Sequence, residues 1–305
     1  MSNKNIIFTL LFVFILLCLC FPHNNKYKEI DEFLYGIEKI YYEDLFIKRD
    51  IYTVEDLKNY FLERCGKSKE EAFKETLYTF VKDPFLEIRE KQVFESNYYK
   101  ERDVENDIKI KRVDENIYLI TFYQISPNMA KKYKEYLTQN IDKNSVIIID
   151  LTNNLGGSLW SAAFFISLFF EPNTYLFSVN FLKKNGIKTQ NFYNSADFGG
   201  YFVNNLVAVL QDDTTVSAAE VISGVLKKRA LIFGDFTFGK PYIQSVFDVG
   251  NLTIVYTNAF LNFSLELEPH SKIRPDFYLN PKEIEKKIII QLVRKLNFFL
   301  SNKGG

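Results

Sequence analysis

Short apolar runs that stop at polar turns and lead into helix-compatible segments recur along this chain, and that alternation limits its fold more than any other feature. Strands are expected at Ile108 to Val113 and Ile117 to Tyr123, then a helix from Ser126-Pro127, a strand over Val146 to Leu151 and a helix over Ser158 to Phe170. Strands near Tyr175 to Leu182 and Gly186 to Tyr193 follow, then the run Leu206 to Leu210, closed by Gln211-Asp212-Asp213. Strands Tyr242 to Val249 and Leu252 to Phe260 and a closing helix over Pro281 to Leu300 complete the pattern. Such alternation argues an α/β fold with strand-helix-strand crossovers.

The unit that starts at Leu206 carries the clearest chemical signal. Ser217 with Glu220 three residues on has a capping-box spacing, and Ala218, Ala219, Val221, Ile222, Val225 and Leu226 continue as a helix. Ser217 therefore stands at a strand-to-helix turn, where free backbone N–H groups and the positive end of the helix dipole suit a nucleophile whose attack creates an oxyanion. The plain alternative is that Ser217 only caps its helix.

A serine nucleophile needs a base, and the histidines are His23, just past the apolar run near the N-terminus, and His270. No G-x-S-x-G elbow surrounds Ser217, because Thr215 and Ala219 flank it. Lysine is the other choice, provided burial or a nearby cation depresses its pKa by several units from about 10.4. Lys240 lies among Phe236, Phe238, Pro241, Tyr242 and Ile243, which predicts surroundings poor in water, and Gln244 offers a hydrogen bond without a charge. Read alone, such a lysine is a snorkelling surface residue.

Taken together, Val207 to Glu220 and Thr237-Phe238-Gly239-Lys240-Pro241-Tyr242-Ile243-Gln244 resemble the nucleophile and base segments of the C-terminal processing, or tail-specific, proteases, which are Ser-Lys serine peptidases. The resemblance extends upstream to Val146 through Leu159, where an apolar strand ends in Asp150-Leu151-Thr152-Asn153-Asn154-Leu155-Gly156-Gly157. It implies that Gly156 or Gly157 supplies one oxyanion-hole N–H and Ala218 the other. Downstream, Lys272-Ile273-Arg274-Pro275-Asp276 resembles the element that ends the family's core. The likeness covers roughly residues 108 to 280 and implies a crotonase/ClpP-like core, Ser217 as nucleophile, Lys240 as base, Gln244 as its positioning partner, and no cofactor or metal.

Thr152 stands where the family usually has arginine, Pro241 where glycine is common, and the interval from Ser217 to Lys240 is a little short. Thr152 leaves open how the Gly-Gly loop is braced. Between Phe85 and Ile108 there is too little chain for a domain of typical size, so the PDZ domain that many relatives carry is expected to be absent.

With 38 basic and 38 acidic side chains the formal net charge is zero, which gives no electrostatic case for a nucleic-acid partner. Lys4 precedes the uncharged run Ile6 to Phe21, closed by Pro22: residues 1–22 read as a signal peptide or a signal anchor. That segment is expected to place the catalytic part outside the cytoplasm, and the resemblance implies a bacterial envelope, with membrane anchoring through the leader as one option. Cleavage would leave Cys65 as the single cysteine and exclude an intramolecular disulfide, and with so few His and Cys no zinc site is expected.

Residues 26–105 read as a helical region, with helices over Tyr27 to Ile47, Thr53 to Glu63 and Ser68 to Val81, and the peptidase core as 106–300. In the family such a region can support a homo-oligomer or shape the cleft, and the plainer reading is that it packs against the core. The expectation is an endopeptidase acting on proteins or unfolded C-terminal tails through an acyl-enzyme. Its rival is a non-catalytic envelope binding or scaffold protein that keeps the fold.

Overall fold

The computed structural model describes residues 25–66, 68–91, 103–194, 199–240, 242–262 and 272–279. The leader, both histidines, Pro241 and the expected closing helix lie outside the described residues. The chain divides into two compact units, Met1–Tyr98 with Ser245–Thr257 and Tyr99–Gln244 with Asn258–Gly305.

In the first unit α1 (Asn25–Glu43), α2 (Val54–Arg64) and α3 (Lys69–Phe80) form where the apolar spacing predicts them. Thr53 caps α2 through Asp56 N and receives the Asp56 side chain in return, and Ser68 caps α3 through Glu71 N. A short strand, β1 (Glu87–Glu90), pairs antiparallel with the first part of β10 (Leu252–Asn262), so this unit is not purely helical. Phe33, Ile37, Phe61, Phe73 and Leu77 share a core with Val249, Ile254 and Tyr256. Two buried carboxylates meet beneath it. Asp83 accepts from Thr257 N at 2.7 Å, from Thr257 Oγ1 at 3.1 Å and from Phe85 N at 2.8 Å. Asp44 accepts from Phe46 N at 2.7 Å through Oδ1, whereas its buried Oδ2 has no hydrogen-bond partner. Burial and the nearby Asp83 charge raise the Asp44 carboxyl to about 7.

The second unit holds a six-stranded sheet in the order β11-β8-β7-β4-β3-β2, made of Phe277–Tyr278, Leu231–Gly234, Leu206–Gln211, Val146–Asp150, Ile117–Phe122 and Ile108–Asp114. Every neighbouring pair is parallel except β2 with β3. Alternate side chains of the central strands enter different cores: Ile147, Ile149, Val207 and Val209 join the larger, and Val146, Ile148, Ala208 and Leu210 the smaller. A sheet buried on both faces explains why β4 and β7 read as unbroken apolar runs. Helices α5 (Ala130–Asn140), α6 (Leu159–Ser167) and α7 (Ala218–Leu226) follow β3, β4 and β7. The antiparallel hairpin β5–β6 (Tyr175–Lys183 and Gly186–Tyr193) precedes β7, and β9 (Tyr242–Val249) begins in this unit.

The α/β expectation holds, with local differences. The helix expected from Ser126-Pro127 starts instead at Ala130, because Ser126 is taken by the buried Asp107, at the end of the one-turn α4 (Val104–Asp107): Ser126 N and Oγ donate to its carboxylate at 3.1 and 2.8 Å, and Tyr133 donates to it as well. Burial and the Asp107 carboxylate raise the Tyr133 phenol well above its ordinary value, so it serves as a fixed donor. Strands β1, β8 and β11 were not apparent in the sequence, each being too short to show a period. Among the described residues no helix is long and apolar enough to cross a membrane.

Candidate active site

Parallel strands bring their C-terminal ends to one edge of the sheet, and the loops after β4, β7 and β8 carry the residues singled out above. Ser217 occupies the turn from β7 to α7 with φ 58° and ψ −121°. An ordinary helix cap has extended backbone, and a non-glycine residue held in this region costs about 1–3 kcal/mol. The strained strand-to-helix elbow is therefore present although the G-x-S-x-G pattern is not.

Glu220, 2% exposed, holds that turn in place. Its Oε2 accepts from Ser217 N at 2.9 Å, which is the returning half of the capping box. The same carboxylate accepts from Gly239 N at 2.7 Å and Lys240 N at 2.9 Å. One buried carboxylate thus fixes the backbone of both the serine and the lysine. The sequence marks Glu220 as a cap; nothing in it shows the bonds to residues 239 and 240.

Lys240 Nζ donates to Gln244 Oε1 at 3.1 Å, as the spacing implied. The serine and lysine segments meet through Glu220 and through Phe238 N, which donates to Thr215 O at 3.0 Å. Upstream of the lysine, Thr237 is clamped to the element after β10: Ile273 N donates to Thr237 Oγ1 at 2.8 Å and Thr237 N to Ile273 O at 3.2 Å. Gln211, fully buried, ties the same region together by donating to Asp235 O at 2.7 Å and to Ile273 O at 2.8 Å.

The Gly-Gly loop is braced without an arginine. Thr152 Oγ1 donates to Asp150 Oδ1 at 2.6 Å, and Asn153 N to Asp212 at 3.1 Å, so a carboxylate from the loop after β7 grips the loop after β4. Asn154 is the centre of the arrangement. Its Nδ2 donates to Phe122 O at 2.6 Å, its Oδ1 accepts from Gly156 N at 2.8 Å, and its backbone O accepts from Val216 N at 3.0 Å. Neither Asn154 nor Asp212 was singled out from the sequence, since a buried asparagine in a loop carries no signal of its partners.

Both glycines are required by packing. A Cβ on Gly156 would lie 2.6 Å from Val216 O and 3.0 Å from Ser217 Cβ, and one on Gly157 would lie 2.1 Å from Ile125 O. Both also have positive φ, 90° and 136°. They differ in their N–H groups. Gly156 N–H is spent on Asn154, whereas Gly157 is the residue paired with Ile125 in a parallel bridge, in which Gly156 O and Ser158 N make the bonds. That pattern turns the Gly157 N–H to the opposite side. Ala218 N–H, in the first turn of α7, has no intrahelical acceptor.

Comparison with known proteins places this geometry. The profile of Peptidase family S41 matches residues 116–279. The chain belongs to that family. The carboxyl-terminal-processing protease of Picosynechococcus sp. is 30% identical over 141 residues, which is 44% of this chain and 32% of that protein. The chloroplastic carboxyl-terminal-processing peptidase 2 of Arabidopsis thaliana is 28% identical over 137 residues, 44% of this chain and 25% of that one. The S41 chain thus spans about a third or less of the length of these curated relatives. In fold it is similar to a photosystem II D1 C-terminal processing protease, with a TM-score of 0.63 at 15% identity over 84% of this chain and 94% of that one. A lipoprotein from Streptococcus agalactiae superposes with a TM-score of 0.64 at 18% identity, over 82% and 92%. The resemblance drawn from residues 108 to 280 is borne out.

Proposed function

We propose that this S41 chain is a serine endopeptidase that works through Ser217 and Lys240. The observation that carries the reading is the Glu220 carboxylate, which fixes the backbone of a strained serine and of a lysine whose Nζ is held by Gln244. Ser217 Oγ attacks the peptide carbonyl carbon while its proton passes to neutral Lys240 Nζ. The tetrahedral oxyanion takes the Gly157 and Ala218 N–H groups, the C–N bond breaks, and Lys240 returns the proton to the leaving amine. Lys240 then deprotonates a water, which opens the Ser217 ester and restores the hydroxyl. No cofactor enters.

Phe236 and Phe238, expected to shield Lys240, are 39% and 51% exposed. Lys240 itself is half-buried and Ile243 packs against the larger core, and a substrate covering Phe236 and Phe238 excludes the remaining water from this surface. The substrates are proteins or unfolded tails. The leader at residues 1–22 directs residues 26–105 and 106–300 outside the cytoplasm, and no PDZ domain selects the substrate's C-terminus.

The test is casein turnover by residues 24–305 beside Ser217→Ala and Lys240→Ala across pH 6 to 9. Loss in both variants is expected, with wild-type activity rising through the pKa of a depressed lysine. Turnover retained by Ser217→Ala would sink the assignment.

A further inference from the structure

Two large apolar side chains stand in solvent on backbone that is fixed to either side of Ser217. Leu155, just before the Gly-Gly pair, is 73% exposed, and Phe238, two residues before Lys240, is 51% exposed. Single exposed apolar residues are common and need no explanation on an ordinary surface. These two differ in how they are held. Leu155 lies between Asn154, whose N donates to Leu151 O at 3.1 Å, and Gly156, whose N and O are both hydrogen-bonded. Phe238 is pinned through its own N–H to Thr215 O, and its neighbour Gly239 through Glu220. Neither side chain belongs to a core cluster.

Their placement follows from the sheet. In the order β8-β7-β4 the loops after β8 and after β4 lie on opposite sides of the loop after β7 that carries Ser217. Gly156 packs so closely on the serine that a Cβ there would touch Ser217 Cβ, which puts Leu155 one residue from that contact. Phe238 is tied to a residue two before the serine. Tyr123, which follows the next strand β3, is 53% exposed as well. The loops on the two sides of the one that carries Ser217 thus each hold an exposed apolar side chain, Leu155 and Phe238. Because both loops are already ordered, contact with them costs little further ordering.

We propose that Leu155 and Phe238 are specificity-determining residues, forming two apolar subsites on either side of the scissile bond for polypeptide segments that carry large aliphatic or aromatic side chains there. The proposal rests on Ser217 as the nucleophile only for the position of the cut. The occupant is an internal stretch of unfolded chain, because both flanking positions must be filled at once.

The experiment uses fluorescent octapeptides with Leu, Gln or Gly at the residues before and after the bond. Binding is read by anisotropy on the Ser217→Ala protein and cleavage on the wild type, with Leu155→Gln and Phe238→Gln in both backgrounds. Leu at either position is expected to favour binding and kcat/KM by roughly tenfold to a hundredfold over Gln. Each variant should flatten the preference at one position and leave the other. Equal binding of Leu and Gln peptides by Ser217→Ala overturns the subsites even if the wild type cleaves. A variant that weakens every peptide by the same factor also overturns them, since it reports loop geometry. Cleavage surviving in Ser217→Ala would instead remove the nucleophile assignment, and the binding series would still decide the subsites.

Discussion

Glu220 Oε2 lies 2.9 Å from Lys240 N while the same oxygen accepts from Ser217 N, so the separation of the two backbones is set by one carboxylate that is 2% exposed. Hydrogen bonds to a charged acceptor contribute about 1.5–3 kcal/mol each. In Glu220→Gln one oxygen becomes a donor facing backbone N–H groups. We expect kcat on a peptide to fall at least tenfold with KM within about threefold, together with a lower Tm, since an interaction acting on the reacting groups is lost and substrate contacts are not. An unchanged kcat with a lowered Tm would assign Glu220 to folding alone.

Asn154 takes up the Gly156 N–H, so in the proposed mechanism the oxyanion falls to that of Gly157. Asn154→Ala frees the Gly-Gly loop from Phe122 and from its own acceptor. Loss of one oxyanion donor costs about 10²–10³ in kcat. The expected result is a fall of that order, matched by weaker binding of a peptide aldehyde, whose adduct carries the oxyanion, while binding of the uncleaved peptide to Ser217→Ala/Asn154→Ala stays close to that of Ser217→Ala. Equal weakening of aldehyde and peptide would reject the role.

Strain at Ser217 gives a prediction of opposite sign for stability and activity. Its φ of 58° with ψ −121° is open to glycine without strain and costly for residues with a Cβ. Ser217→Gly should abolish turnover and raise stability by about 1–3 kcal/mol, whereas Ser217→Ala abolishes turnover and keeps the strain. Equal denaturation midpoints for Gly and Ala would show that the turn is unstrained.

The legible and illegible parts of this molecule divide by range. β4, β7 and α7 could be read because their period and caps lie within a few residues, whereas Ser217, Lys240 and Gln244 could be grouped as candidates only because a resemblance linked segments that local pattern leaves apart. What joins those segments could not be read. Glu220 looks like a cap, Asn154 like any loop asparagine and Asp212 like a turn residue, yet each acts on backbone groups whose partners the fold brings from another loop. Nor does the sequence show that Phe236 and Phe238 stand in solvent while Ile243 packs on the core, because spacing along an aromatic-rich run does not say what covers it.

The paired carboxylates of the first unit predict a pH effect on stability. Asp44 Oδ2 is buried without a donor beside Asp83, and the remaining nearby charge is that of Arg49, which donates to Tyr41 O and Asp44 O. In the folded chain the Asp44 carboxyl titrates at about 7, against 3.8 for a free one. The folded state therefore keeps a proton that the unfolded state loses, so this contribution is fully present below pH 3.8, declines as pH rises, and is gone above about 7. At 1.36 kcal/mol per pH unit the whole span corresponds to roughly 4 kcal/mol. Asp44→Asn keeps an acceptor for Phe46 N and offers Asp83 a permanent donor. It should raise the denaturation midpoint at pH 8, where the wild type buries two carboxylates, and by much less at pH 5. Urea titrations of both proteins at the two pH values decide it, and an equal shift at each would mean that Asp44 is ionised in the folded chain throughout.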